Sequence, residues 1–216
     1  MNALPGFQRA RKPEEREARR AALLVAAGEL FDAEGPLGAG LNAIAARAGF
    51  TKSNVYRYFE SREEVLLDLF VAAMEDLVPA LVKALGAATP GDVAGIAGLL
   101  ARAFETRPRL CQLLAIVTGV LESNVSEETI MRTKRRMAAF GTEMAKALQA
   151  KLPGASLADC NWVLAMLATL AGGLAPATRP APAAARVLAR AEFAAMRPNL
   201  ARDLARTAEA LLASIT

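Results

Sequence analysis

Apolar residues recur at helical spacing along most of the chain, and no segment shows the alternation over roughly four to eight positions that a half-buried strand needs. Leu23, Leu24, Ala27, Leu30 and Phe31 fall on one face of a helix expected over about 14–34, which Gly35-Pro36 ends. A short helix over 41–48 buries Leu41, Ile44, Ala45 and Ala48 and stops at Gly49, a residue type that takes a left-handed position at little cost. Thr51 is placed to cap a third short helix over 52–58. Ser61-Arg62-Glu63-Glu64 then reads as a capping box opening a long helix to about Leu85.

Thr89 as cap and Pro90 at the first position start a further helix to about Thr106, which Pro108 breaks. Helices follow over 109–123, over 127–151 behind Ser126, and over 157–175 behind Ser156 and Asp159. Pro176, Pro180 and Pro182 make 176–183 a loop. A helical segment from about Ala184, interrupted near Pro198, leads to a last helix over 199–214. The pattern is all-α.

Composition narrows the chemistry. Apolar residues are 54% of the 216 positions and aromatics only 5%, so the interior is built from Ala, Leu, Val and Met. The chain has no histidine, which removes Ser-His-Asp and Cys-His catalysis, HExxH zinc sites and the usual neutral-pH proton shuttle. With neither paired carboxylates at useful spacing nor a Gly-rich phosphate loop, no enzyme, no cofactor and no metal site is expected. Cys111 and Cys160 stand far apart without a CxxC and read as buried thiols. The first 26 residues lack an unbroken apolar run, so a reducing cytoplasm is the expected compartment. The uncharged stretch 160–178 is read as a buried helix too short to span a bilayer, because its helical part is expected to stop before Pro176.

Charge divides the chain. Residues 1–62 carry +3 of the net +4, leaving a nearly neutral, more apolar remainder. A basic head joined to such a body is the pattern of a nucleic-acid module attached to something else. Within the head, two short helices meet at a glycine turn, the layout of a helix-turn-helix, with Ile44, Phe50, Val55 and Phe59 as shared core. Lys52, Ser53, Asn54, Tyr56, Arg57 and Tyr58 remain exposed on the third helix: cations and hydroxyls for phosphate, with Lys, Asn and Tyr able to reach base edges.

The run from Ile44 to Phe59 with the Ser61 box closely resembles the DNA-binding domain of TetR-type transcriptional regulators, over about residues 14–70. The Ala45-x-x-Ala48-Gly49 turn, the Tyr56-x-Tyr58-Phe59 end of the third helix and the Ser61-Arg62-Glu63-Glu64 start of the fourth occur together in register. The segment 107–114 and the Pro-rich loop bear a weaker likeness to one of the family's C-terminal types. By this resemblance the third helix enters the major groove of double-stranded operator DNA. Thr51, Tyr56, Tyr58 and Arg62 then hold phosphates while Lys52, Ser53 and Asn54 face bases, and Gly40 departs from the threonine that often caps the second helix.

The resemblance implies an all-helical homodimer with three parts: a basic arm over 1–13, a helix-turn-helix domain over 14–62, and a ligand-binding and dimerisation bundle over 63–216. It also implies a repressor released by a small-molecule inducer. Arg9, Arg11, Lys12, Arg16, Arg19 and Arg20 either follow the DNA as a flexible arm or are merely solvated. A lipophilic pocket is expected from Phe104, Met137, Phe140, Trp162 and Met166, with Thr118 and Glu122 orienting the ligand and a cationic aromatic compound slightly favoured. Arg132, Lys134, Arg135 and Arg136 form a second basic cluster, read as a solvated face with an anionic-ligand clamp as the alternative, and Arg132 or Arg136 turned inward would reverse the preference for a cation. The dimer interface is expected on the helix from Trp162 to Leu174, with Gly172 and Gly173 allowing close approach, and on the last helix through Leu200, Leu204, Ala208, Leu211 and Leu212. Two rival readings remain. One is a helical-bundle enzyme or a lipid- or small-molecule-binding protein without an operator; the other, a membrane-surface protein, is disfavoured because the apolar residues of the head are needed for its core.

Overall fold

The computed structural model describes residues 13–36 and 38–216, and among them every regular element is helical. The expectations for residues 1–12, including Arg9, Arg11 and Lys12, lie outside the described residues. By internal contacts the chain separates into two units, one ending at Val65 and one beginning at Leu66.

In the first unit α1 (Pro13–Glu34) buries Leu23, Ala27, Leu30 and Phe31. It stops because Gly35 turns left-handed at φ +75° and its amide bonds the Phe31 carbonyl at 2.8 Å. Arg16, Arg19 and Arg20 lie on this helix, so the flexible-arm reading does not extend to them. α2 (Leu41–Arg47) buries Ile44 and Ala45 and packs against α1 and α3 (Lys52–Val55). Gly49 makes the bend at φ +71°, a backbone that a Cβ would strain, and the Phe50 amide closes it on the Ala45 carbonyl at 2.9 Å.

α4 (Arg62–Ala87) begins in the first unit and continues into the second. Its box forms with one shift: the Glu64 amide bonds the Ser61 hydroxyl at 3.1 Å, while the Glu64 carboxylate accepts the amide of Glu60 at 2.8 Å. α5 (Val93–Glu105) starts later than expected. Gly91 stands at φ +78°, outside the helical region, so Thr89-Pro90 forms a turn and Asp92 becomes the cap, accepting from the Gly95 amide at 2.9 Å.

The helix expected over 109–123 breaks. α6 (Pro108–Leu114) is followed by turns and a short 3-10 segment over Leu121–Asn124, because Ile116, Val117, Thr118, Gly119 and Val120 are poor helix formers in succession. α7 (Glu127–Gln149) is capped by Ser126. α8 (Leu157–Thr178) runs through Pro176, which near a helix end deletes a single backbone bond, so the 176–183 loop shrinks to three residues before α9 (Pro182–Leu188). With 22 residues α8 spans about 33 Å, long and apolar enough to cross a bilayer, and the argument from shortness fails. A 3-10 segment over Ala191–Met196 leads to α10 (Leu200–Ala213).

In the second unit α5 and α8 pack on α10, and α6 and α7 pack on α8. Leu204, Ala208 and Leu212 of α10 are fully buried within the chain. The dimer placement through these three residues is therefore corrected: they are already used against α5 and α8. Gly172 is likewise taken up internally, since a Cβ there would stand 3.0 Å from the Leu114 carbonyl carbon and 3.1 Å from the Ala115 nitrogen.

Candidate nucleic-acid interface and apolar cavity

Val55 and Phe59 are driven inward with Ile44, and this fixes which side chains of the third helix face out. The regular helix is only four residues, Lys52–Val55, because beyond it the chain tightens: Arg57 and Tyr58 donate to the carbonyls three residues back, at 3.2 and 2.9 Å. Thr51 occupies the cap position but makes no side-chain cap bond, which leaves its hydroxyl available. Thr51, Lys52, Ser53, Tyr56 and Arg57 are exposed, and Asn54 and Tyr58 are half-buried. Tyr56 is 51% exposed, so packing against α4 does not account for it.

Two features of this surface were not read from the sequence. The Lys52 ammonium lies 5.8 Å from the Tyr56 ring centroid, a cation–π contact that restrains a long side chain otherwise free to sample many rotamers. The Arg20 guanidinium stands 5.1 Å from the Phe59 ring, tying α1 to the end of the recognition segment. The one-turn spacing of Lys52 and Tyr56 was visible in the sequence; the long-range Arg20 pair left no local signal. Arg62 contacts Glu63 at 3.1 Å, so a phosphate would have to compete with that carboxylate.

The second unit holds a cavity of about 380 Å³. α4 supplies Phe70, Met74, Leu77 and Leu81, one stripe of that helix; α5 and α6 supply Phe104 and Leu114; α7 supplies Met137, Ala138, Gly141 and Met144; and α8 supplies Asn161, Leu164, Ala165 and Ala168. Asn161 is the only polar side chain in this lining, and its Nδ2 donates to the Leu157 carbonyl at 3.2 Å. No charged side chain lines the cavity.

Of the seven residues expected at a pocket, Phe104 and Met137 line this cavity and the other five do not. Trp162 and Met166 stand on the outer face of α8, 46% and 39% exposed. Phe140 is turned toward Arg136, whose guanidinium lies 5.7 Å from its ring and pairs with Glu75 of α4. Thr118 is exposed in the turns after α6. Glu122 is engaged with Lys134 at 2.6 Å, which removes the reason for favouring a cationic ligand. The basic cluster is likewise largely committed: Arg132 donates to the Thr129 hydroxyl at 3.4 Å, and Lys134 and Arg136 are in ion pairs. The four α4 residues were missed because a single helical stripe does not reveal whether it faces a filled core or a void.

Cys111 and Cys160 are free and buried, and burial pushes the Cys111 thiol up to about 11.

Two family models match. Residues 23–69 match bacterial regulatory proteins of the tetR family, and residues 71–215 match a tetracyclin repressor-like C-terminal domain. A curated relative, the HTH-type transcriptional activator FasR of Mycolicibacterium smegmatis, is 38% identical over 74 residues, so the match spans about a third of this chain and of that relative, 34% of each. Among solved structures, the Thermus thermophilus repressor FadR in complex with lauroyl-CoA superposes with a TM-score of 0.59 at 19% identity, covering 91% of this chain and 95% of that one. FadR from Bacillus subtilis in complex with stearoyl-CoA gives 0.58 at 14% identity, covering 91% and 99%.

Proposed function

Since the chain belongs to the TetR family of transcriptional regulators, with a helix-turn-helix DNA-binding domain, we propose that it is a cytoplasmic, ligand-responsive repressor. In this reading it binds a palindromic operator as a homodimer and leaves it when a small lipophilic molecule enters the cavity of the second unit.

The observation that carries the reading is the charge-free cavity of about 380 Å³ in a chain whose other unit displays an exposed Lys, Ser, Tyr and Arg set on a helix-turn-helix. Lys52, Ser53 and Asn54 read base edges, and Thr51, Tyr56, Arg57, Tyr58 and Arg62 hold the phosphates on either side. One head contacts few base pairs, so specificity calls for two half-sites and a two-fold partner. The partner is met through the outer face of α8, where Trp162, Met166, Thr169 and Gly173 form an exposed stripe without charge.

The cavity selects the ligand by exclusion. A charged group would lose its hydration there and find only the Asn161 amide in return, so the part that enters is uncharged and apolar. An acyl chain with its polar head left outside satisfies this, and the acyl-CoA complexes of the two FadR proteins support testing that class first. Release from DNA requires that the ligand bind the DNA-incompetent arrangement of the dimer better than the bound one, by ~3 kcal/mol for a roughly 150-fold effect.

The experiment is fluorescence anisotropy of a labelled operator, selected from random duplexes, titrated with the full chain in the presence of lauroyl-CoA, free fatty acids, flavonoids or lipophilic amines. At least one class is expected to weaken binding, and Ala168→Phe, which fills the cavity, to abolish that response while leaving operator affinity unchanged. Tighter operator binding with ligand would contradict release, and a transcription assay would then separate a ligand-dependent repressor from an activator, the role that the FasR relative is named for. A response that survives in Ala168→Phe would remove the cavity from the account.

A further inference from the structure

Asn161 is the one polar side chain in the cavity wall, and its amide is only partly used inside the protein. Its Nδ2 donates to the Leu157 carbonyl at 3.2 Å, one turn back along α8. Only a donor can face that carbonyl, so the bond fixes which end of the amide points away from it. The other end is Oδ1, and among the described residues no donor meets it. It lies 3.5 Å from where a Cβ on Gly141 would stand, and Gly141 of α7 is itself part of the lining. A glycine at that place leaves the oxygen uncovered.

A lone acceptor in an apolar wall discriminates among ligands that the wall would otherwise admit alike. An unsubstituted alkyl chain covers Oδ1 and brings no proton to it, and an acceptor sealed from water without a partner is costly. A ketone, ester or thioester carbonyl can take at most the spare Nδ2 proton and still leaves Oδ1 unanswered. Water kept on Oδ1 under the ligand would have this single polar side chain in the lining, where a buried water usually makes roughly 2–4 hydrogen bonds. A hydroxyl on the ligand restores the bond that solvent made. We propose that Asn161 makes the cavity selective for apolar chains that carry a hydroxyl, a long-chain alcohol or a hydroxylated acyl chain rather than an unsubstituted one. The inference rests on the cavity being the ligand site and narrows what that site accepts.

The test is isothermal titration calorimetry on the full chain with two probes, decan-2-ol and decan-2-one, which share a carbon skeleton and differ in whether the oxygen bears a proton. Wild type is expected to bind the alcohol roughly tenfold more tightly than the ketone, or more, because the ketone leaves a covered acceptor without a partner. Asn161→Leu, which keeps the size of the side chain and removes the amide, should bring the two affinities together, and Asn161→Ala should do the same if the leucine variant does not fold. Ala168→Phe fills the cavity and should weaken both probes. Equal affinities in wild type, both weakened in Ala168→Phe, would overturn the selection by Asn161 while the cavity stands as the ligand site. A preference for the alcohol that persists in the Asn161 variants would overturn it as well. Binding of neither probe, or binding that Ala168→Phe leaves intact, would remove the cavity from the account and the inference with it.

Discussion

Two glycines inside helices make opposite predictions when each is replaced by alanine. At Gly172 of α8 the new methyl would lie 3.0 Å from the Leu114 carbonyl carbon, 3.1 Å from the Ala115 nitrogen and 3.1 Å from the Leu114 Cβ. Carbon pairs are most stable at about 3.5–4.0 Å, so the contact is roughly 0.5 Å too close, and most of it is against backbone that cannot rotate away. Overpacking of this kind costs about 1–3 kcal/mol, and the better helix propensity of alanine returns about 1 kcal/mol, leaving a net loss of about 0–2 kcal/mol. Gly98 of α5 has nothing within 4 Å of its hypothetical Cβ, so there only the propensity gain of up to about 1 kcal/mol remains. In a chain of this size 1 kcal/mol moves the melting temperature by about 2–4 °C. Thermal unfolding by circular dichroism at one protein concentration should therefore place Gly98→Ala above wild type and Gly172→Ala at or below it. An equal rise for both would mean that α6 and α8 do not approach as described.

Three further outcomes follow from the same geometry. Leu204→Arg should collapse folding rather than merely separate protomers, because Leu204 is fully buried against neighbouring helices; a folded monomer by sedimentation and circular dichroism would contradict that placement. Trp162 emission should respond to dilution through the dimer transition and be little altered by a cavity ligand, since Trp162 is 46% exposed on the outer face of α8 and absent from the cavity lining. The Cys111 thiol, pushed up to about 11 by burial, keeps its proton in the folded state after the unfolded chain, with a thiol near 8.5, has lost it. Its contribution to stability is thus intact below about pH 8.5 and lost as pH rises toward 11, and Cys111→Ala should flatten the fall of the urea midpoint across that window.

The first unit was legible in the sequence because its signals are local. Gly49 announces its bend, the Ser61–Glu64 box lies within four residues, and the apolar spacing of α1 requires no knowledge of a partner. The second unit was legible as helices but not as packing. Gly91 adopts a backbone that delays α5 until Asp92, and the run from Ile116 to Val120 breaks a helix whose apolar spacing looked continuous. The pocket expectation went astray because Phe140, Trp162 and Met166 have the size and type of lining residues while their facing is set by long-range contacts. Leu204, Ala208 and Leu212 show the same ambiguity: an amphipathic last helix looks alike whether it packs on its own chain or on another copy.

Sequence-specific DNA recognition by the third helix is decided by enrichment of operators from random duplexes with wild type and Lys52→Ala. Wild type should enrich two inverted half-sites, with an affinity that falls steeply as salt rises and counterions are released. Lys52→Ala should relax the preference at one base pair in each half-site, by ~1–3 kcal/mol, while Tyr58→Phe lowers affinity for all duplexes alike. No enrichment together with a flat salt response, or a preference that Lys52→Ala leaves unchanged, would contradict the assignment of this helix as the reader of the operator.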